Sequence, residues 1–269
     1  MDDPVNLFEP ERDSISVSQA ITYLRCPQQH YYRYVRGLVM PPDGRTARGQ
    51  AIHVGQAWAY NQLLRSGVRP KVSDVVDVAV TELKAQLEHA VLRKDEKKSV
   101  LKDSTAKATQ VYQQNVGQRI DPVAVERRIE AEPGGIKVVG VLDVMERRGN
   151  RFGIRDTKTV SRKMDLRSEP AGILQAPVYV VLAQADGYRR LDSEVVLDQI
   201  IIRSKDVEYE RVPVRIGKTA IARAMNLLAR VSQLIRARIY YRNPTGWWCD
   251  PQYCGYYRLC WKEWKEGAS

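Results

Sequence analysis

Apolar residues recur at helical spacing in the first part of the chain and at alternating positions further on. Residues 17–36 follow two candidate N-caps, Ser16 and Ser18, and predict a helix dented at Pro27. Three more helices are predicted in "ARGQAIHVGQAWAYNQLLRSG", "SDVVDVAVTELKAQLEHAVLRK", which Ser73 would cap, and "STAKATQVYQQNVGQRI". The run "RKDEKKSVLKD" between the last two is interpreted as a solvated helix end or loop.

From Pro122 onward the pattern alternates, which is typical of strands. The segments "VAVERRIEAE", "IKVVGVLDVMERR" and "RFGIRDTKTVS", separated by glycine-containing turns, predict an antiparallel meander. A helix around "GILQAPVYVVLAQA", strands in "EVVLDQIIIRS" and "VEYERVPVRI", and the basic helix "KTAIARAMNLLARVSQLIRARIYY" follow. This order predicts an α/β fold with a central mixed sheet flanked by helices. The parts are a helical region (1–121), a core (122–216) and a C-terminal helix with a cysteine tail (217–269), integrated in one domain.

Composition narrows the class of protein. The chain has 269 residues, of which 43% are hydrophobic and 28% charged, as in ordinary globular proteins. Without a secretory leader or an apolar run of membrane-spanning length, it is expected to be cytoplasmic and to have no membrane partner. The net charge of +11 favours a polyanionic partner such as nucleic acid, although many basic surfaces only maintain solubility. No phosphate-binding loop of a helicase motor is found, so unwinding would require a partner helicase or a single-stranded substrate.

Two carboxylates and a lysine form the first candidate site. Asp156 and Lys158 are two apart on one predicted strand and therefore share a face, while Thr157 points away. The turn at Gly149 lets Asp143, on the preceding strand, come alongside Asp156. Carboxylates of this kind bind Mg²⁺ or Mn²⁺ for phosphodiester hydrolysis, with the lysine holding a water or stabilising the transition state. The alternative is an ordinary surface ion pair, which contributes little to stability.

The chain also carries an ordered set of motifs: Gly140-Val141-Leu142-Asp143, then Asp156-Thr157-Lys158-Thr159, then Gln175-Ala176-Pro177-Val178-Tyr179. This order resembles the GxxD, (D/E)xK and QxxxY motifs of the PD-(D/E)XK nucleases, specifically the RecB-like branch. His53, in "RGQAIHVG", resembles the upstream histidine of that branch. The resemblance spans most of the chain and implies a restriction-endonuclease-like core.

The resemblance also implies roles. Mg²⁺ or Mn²⁺ would be held by His53, Asp143, Asp156 and the backbone carbonyl of Thr157, and Lys158 would serve catalysis. Gln175 and Tyr179, one helical turn apart, would face the active site or the DNA. The alternatives are a local hydrogen bond for His53 and helix-to-sheet packing for Gln175 and Tyr179. Glu126, in the first strand of the meander, could also approach the site but is not included among the predicted ligands.

The four cysteines lie near the two ends of the chain. Cys249, Cys254 and Cys260 follow the spacing C-x4-C-x5-C, and Cys26 is the only other thiol. In a cytoplasmic protein, four such thiolates suit zinc or an iron–sulfur cluster. The resemblance to the iron–sulfur subset of the RecB-like branch implies a four-iron four-sulfur (4Fe-4S) cluster; zinc and unrelated thiols are the alternatives. The aromatic residues around these cysteines would shield the cluster or stack on single-stranded bases. Arginines of the basic helix would contact phosphates or form a solvated face; they are Arg223, Arg230, Arg236 and Arg238.

The resulting hypothesis is a metal-dependent DNA exonuclease that acts on single-stranded DNA or DNA ends in recombination, repair or replication. One alternative is a catalytically silent subunit that binds DNA ends or supports assembly. The other is a structure-specific or restriction-type endonuclease. A helicase or recombination partner and a homo-oligomer are both compatible with this chemistry.

Overall fold

The computed structural model describes residues 14–266. Its strands are β1 (Ser14–Ser16), β2 (Pro122–Ala131), β3 (Lys137–Arg148), β4 (Arg151–Val160), β5 (Leu191–Ile202) and β6 (Val207–Arg215). Its α-helices are α1 (Val17–Arg25), α2 (Pro27–His30), α3 (Gly44–Ser66), α4 (Val72–Gln86), α5 (Lys98–Asn115), α6 (Ala176–Ala185), α7 (Lys218–Arg236) and α8 (Tyr257–Glu266). The predicted α/β class, a central mixed sheet with flanking helices, is confirmed.

The described residues form two compact units. The larger comprises residues 41–130 and 140–224, and the smaller comprises 14–40, 131–139 and 225–266. The predicted division into 1–121, 122–216 and 217–269 stays a prediction. None of the described helices combines the length and the apolar character needed to cross a membrane.

The sheet of the larger unit has the order β3-β4-β5-β6, and β2 pairs with β3. The pairs β3–β4 and β5–β6 are antiparallel, whereas β4 and β5 run parallel because the chain crosses over through α6 between them. In the smaller unit, the short strand β1 pairs in parallel with the first residues of β3.

The predicted first helix is broken where proline enters it. Of the two candidate caps, Ser16 is the N-cap of α1, and it forms a reciprocal pair of hydrogen bonds with Gln19. The helix ends at Cys26, whose backbone is extended, because Pro27 disfavours a helical residue before it. A short α2 and a π-helical turn at Tyr31–Val35 complete the segment that was predicted as one helix. Cys26 therefore lies at a break between helices.

Two other helix boundaries differ from the predictions. Helix α4 starts at Val72 with Lys71 at its N-cap, and the Ser73 hydroxyl donates to Asp74, so the predicted Ser73 cap is wrong. Helix α5 starts at Lys98, inside the charged run, rather than at Ser104. Leu101 in that first turn is buried in a cluster with residues of α3 and α4, and this packing outweighs the polar sequence around it.

Helix α3 is packed on two sides, which fixes the position of His53 on it. Towards the sheet, Ile52 and Tyr60 belong to a buried cluster with residues of α5, β3 and β5. Towards α4 and α5, Ala47 and Ala51 belong to a second buried cluster. Because its small residues face the neighbouring helices and its larger ones face the sheet, α3 has little freedom to shift.

A chain of buried polar groups crosses the sheet of the larger unit. The Arg155 guanidinium on β4 donates to both oxygens of Asp198 on β5, at 2.8 and 2.6 Å, and to Glu146 on β3 at 3.0 Å. The hydroxyl of Tyr209 on β6 donates to Asp198 at 2.7 Å. Arg155, Glu146 and Asp198 are each at most 5% exposed. Four strands are thus linked in one register by hydrogen bonds that leave these charges paired.

Helix α6 follows a π-helical turn at Ala171–Gln175. Two glycines allow this segment to approach its neighbours. A Cβ on Gly140 of β3 would lie 2.6 Å from Leu182 on α6. A Cβ on Gly172 would lie 2.7 Å from the Cα of Arg167, and closer still to the Leu166 carbonyl oxygen. The contact at Gly172 involves backbone atoms, so a side chain there displaces the turn.

Gly172→Ala is therefore expected to destabilise the protein by about 1–3 kcal/mol, the usual cost of overpacking. The matched control is Gly217→Ala, because a Cβ on Gly217 meets no atom within 4 Å. Chemical denaturation of the two variants beside the wild type measures the difference. Equal midpoints for both variants would contradict the packing described for the turn before α6.

Candidate functional site

The ladder between β3 and β4 ends at the pair Val144–Arg155. Beyond this pair, β3 is bonded to β4 by a side chain: Asp143 Oδ2 accepts a hydrogen bond from the backbone N–H of Thr157 at 3.1 Å. A strand residue directs its N–H and its C=O to the same side, so the Thr157 carbonyl is also directed towards this end of β3. The two strands thereby present a carboxylate and a main-chain oxygen at one place.

His53 reaches the same carboxylate from α3. Its Nδ1 lies 3.2 Å from Asp143 Oδ2. Burial by itself would lower the pKa of His53, but the carboxylates of Asp143 and Asp156 raise it to about 9. Burial likewise opposes ionisation of Asp143, and its neighbours His53 and Lys158 nevertheless hold the pKa of that carboxyl below its usual value. One turn along α3, Gln56 accepts a hydrogen bond from the Thr157 hydroxyl at 3.0 Å.

Glu126 on β2 completes a three-residue group with His53 and Asp143. One ligand atom from each of the three lies within 4.8 Å of the other two. The Glu126 backbone has a φ of 47°, which is rare and strained for a non-glycine residue and is typical of functional sites. Burial and the charge of Asp143 raise the pKa of Glu126 to about 6. Its place in the first strand of the meander was the only sequence signal for it.

The other predicted residues converge on Asp156, which is 1% exposed. The Lys158 ammonium lies 2.7 Å from Asp156 Oδ2, and Gln175 donates to Oδ1 at 3.1 Å. The Tyr179 hydroxyl lies 3.5 Å from Oδ1 and accepts a hydrogen bond from Gln175. Burial and the charge of Asp143 raise the pKa of Asp156 to about 6, against the opposing effect of Lys158.

The site therefore has two neighbouring groups. The acidic group consists of His53, Glu126 and Asp143, and the Asp156 group consists of Asp156, Lys158, Gln175 and Tyr179. Thr157 lies between them, with its N–H bonded to Asp143 and its hydroxyl turned to the opposite face of β4, as the alternation predicts. Asp156 itself is not within the 4.8 Å group that the structure forms. The imidazole and carboxylates of the acidic group are a donor set that suits Mn²⁺ or Mg²⁺.

The acidic group lines a groove of about 660 Å³, which we call the α3 groove. The other lining residues lie on α3 beside His53; they are Gly49, Gln50, Val54, Ala57 and Trp58.

The four cysteines lie together in the smaller unit. Cys26, at the break after α1, lines the same pocket as Cys249, Cys254 and Cys260. Burial and the neighbouring thiols of Cys26 and Cys260 raise the pKa of Cys249. Burial and the other three thiols raise the pKa of Cys254, although the backbone N–H of Tyr256 donates to it and lowers the pKa. A cationic metal group would relieve the repulsion between four thiolates, so these residues fit such a group.

Hydrogen bonds join the two ends of the chain around this pocket. The Tyr23 hydroxyl donates to the Ile239 carbonyl at 2.5 Å, and the Asn243 amide donates to the Arg25 carbonyl at 2.9 Å. Four aromatic residues of the tail line the pocket, namely Trp248, Tyr256, Tyr257 and Trp261. Trp247, by contrast, is 71% exposed. The position of the four lining residues is compatible with the predicted shielding of the cysteines. The exposed ring of Trp247 is accessible to a partner.

A crystal structure from Eubacterium rectale named "Putative exonuclease" is similar to the chain with a TM-score of 0.55 and 10% identity, covering 93% of this chain and 92% of that one. At that identity the likeness shows the fold alone. The structure of SSO0001 has a TM-score of 0.42 and 15% identity over 93% of this chain and 86% of the other, too distant to support an argument. No curated protein matches in sequence. The family model of the PD-(D/E)XK nuclease superfamily matches residues 14–261, and the chain therefore belongs to this superfamily.

Proposed function

We propose that this nuclease is a metal-dependent DNA exonuclease of the RecB-like branch, acting on single strands or free DNA ends. The observation that carries the proposal is the convergence of Asp143, Asp156 and Lys158 with His53, in the order of motifs that resembles this branch. The net charge of +11 supports a polyanionic substrate. A catalytically silent subunit would not need a lysine held against a buried carboxylate.

The residues of the site would have different roles in hydrolysis. His53, Asp143, Asp156 and the Thr157 carbonyl would hold Mg²⁺ or Mn²⁺, with Glu126 as an additional ligand that the geometry suggests. The ion, when bound, neutralises the phosphate and lowers the pKa of a water. Lys158 would hold that water by hydrogen bonding or stabilise charge on the phosphoryl oxygens as the water oxygen attacks phosphorus and the leaving alcohol departs.

Gln175 and Tyr179 would act as positioning residues in this scheme. Both contact Asp156 Oδ1, on the side of the carboxylate away from Lys158. They would hold the carboxylate in one orientation for the ion and for the lysine.

Lys158→Ala is expected to reduce metal-dependent hydrolysis about 100-fold or more, because a charge-stabilising donor is lost. The matched control is Lys163→Ala, since Lys163 lies beyond β4 in an exposed ion pair with Glu210. The assay uses 5′- and 3′-labelled single- and double-stranded DNA with Mg²⁺, Mn²⁺ or chelator. Shortening from one end gives the polarity; cleavage of circular DNA would indicate an endonuclease, and binding without hydrolysis by the wild type would indicate the silent subunit.

Metal binding is expected to strengthen with rising pH in two stages. Glu126 and Asp156, each with a pKa of about 6, must ionise first, so affinity for Mn²⁺ should rise from pH 5 to pH 7. His53, with a pKa of about 9, is protonated at neutral pH and must lose its proton to bind the ion. Calorimetry in buffers of different ionisation enthalpy should show release of about one proton at pH 7.5, absent in His53→Gln. Equal proton release in both proteins would remove His53 from the ligand set.

We also propose that Cys26, Cys249, Cys254 and Cys260 hold a 4Fe-4S cluster. The four cysteines line one pocket. Four thiolates can hold zinc or a 4Fe-4S cluster, and the resemblance to the iron–sulfur subset of the RecB-like branch favours the cluster. Such a cluster would supply a covalent link between the two ends of the chain and a redox centre.

Anaerobically purified protein is expected to be coloured and to contain about four iron and four sulfide per chain. Cys254→Ser should lose both, together with thermal stability, because the link between the chain ends is lost. Lys158→Ala serves as the control and should keep the full iron content while losing hydrolysis. A colourless wild-type protein that contains one zinc per chain would show that the four cysteines bind zinc rather than a cluster.

A further inference from the structure

We infer that the α3 groove holds an unpaired base of the substrate strand against the ring of Trp58, which gives the enzyme a preference for single-stranded nucleic acid. The inference rests on the proposed function, because it assumes that the scissile phosphate lies at the acidic group. Trp58 has no place in the motif set from which that function is proposed, and none of the predicted roles includes it.

The groove is continuous with the candidate active site. His53 and Trp58 are on the same helix and both line the groove, as do Glu126 and Asp143. Five residues of α-helix offset the Cα atoms of His53 and Trp58 by about 7.5 Å along the axis, which is the scale of one nucleotide. A strand with its phosphate at the acidic group would therefore place an adjacent nucleotide in front of Trp58.

The chemistry of the α3 side of the groove suits a base rather than a phosphate. Apart from His53, the α3 residues that line the groove are uncharged, and their polar groups are the Gln50 amide and the Trp58 indole N–H. The lining contains no lysine or arginine, and its one imidazole, His53, is paired with Asp143 at the acidic group. Lys158 lies in the Asp156 group. The α3 residues of the groove therefore form a partly apolar surface with one aromatic ring, and bases of any sequence stack on such a surface.

The small residues on the same face provide the space that a base needs. Gly49 and Ala57 lie two helical turns apart, one turn on either side of His53. A Cβ on Gly49 would lie 2.9 Å from the Thr159 hydroxyl, so glycine also permits α3 to approach β4 at this point. The open volume of about 660 Å³ falls within the range of pockets that bind small organic ligands.

Single-strand preference follows from what a stacked base requires. In a duplex, the neighbouring bases cover both faces of each base and pairing occupies its edge. A base reaches the Trp58 ring only when it is unpaired and unstacked, so the groove would bind a single strand or a frayed end and contribute nothing to duplex binding.

The test measures binding separately from hydrolysis. In the Lys158→Ala background with Mg²⁺, fluorescence anisotropy gives the dissociation constants of a labelled thymidine oligonucleotide and of a labelled duplex. Trp58→Leu, which keeps apolar volume but lacks a π-face, is expected to weaken single-strand binding about tenfold and duplex binding less than about twofold. Trp58→Phe should restore most of the loss. Leu64→Ala is the matched control, because Leu64 is 46% exposed on the same helix and does not line the groove.

An abasic scan makes the test independent of any effect of the substitution on folding. Removing one base at a time should weaken binding to the Trp58 protein at one position of the strand, and that position should have no effect in Trp58→Leu. Equal losses on single strand and duplex, no loss, or a loss seen only in Trp247→Ala would overturn the inference. Failure of the proposed function is a separate result, since it would be absence of metal-dependent hydrolysis by the wild type while Trp58-dependent binding persists.

Discussion

The candidate site depends on one hydrogen bond, from the backbone N–H of Thr157 to the carboxylate of Asp143, at the point where β3 and β4 stop pairing. A side-chain acceptor there replaces the main-chain acceptor that a continued ladder would supply, so the two strands can separate without leaving a buried donor unsatisfied. The gap that opens is where His53 meets Asp143. The same carboxylate thus ends the ladder and binds the histidine.

Strand β4 serves different purposes on its two faces. Asp156 and Lys158 lie on the face that carries the candidate site. Arg155 lies on the other face and belongs to the buried chain of polar groups that links β3 to β6. Burying these charges is tolerable only because each has a partner, and their mutual geometry restrains the register of the strands. A register error of one residue would exchange the two faces and destroy the site.

In the smaller unit, contacts between the two ends of the chain hold the structure together. Its segments come from both ends of the sequence, and hydrogen bonds such as those from Tyr23 and Asn243 join them around the four cysteines. Burial and the neighbouring thiols raise the pKa values of Cys249 and Cys254 and so favour their protonated forms. The protein therefore pairs a carboxylate site in one unit with a thiol site in the other, and each can be tested alone.

The sequence by itself determined the order of elements, the α/β class, and the residue types of both sites, because alternation, proline and glycine positions and short motif spacings act locally. For the same reason it placed Thr157 on the strand face opposite Asp156 and offered Ser16 or Ser18 as the cap of the first helix. Only the tertiary structure decided the start of α5, the left-handed backbone of Glu126 and the α3 groove with Trp58. These depend on packing between segments far apart in the chain, and local propensity carries no information about it.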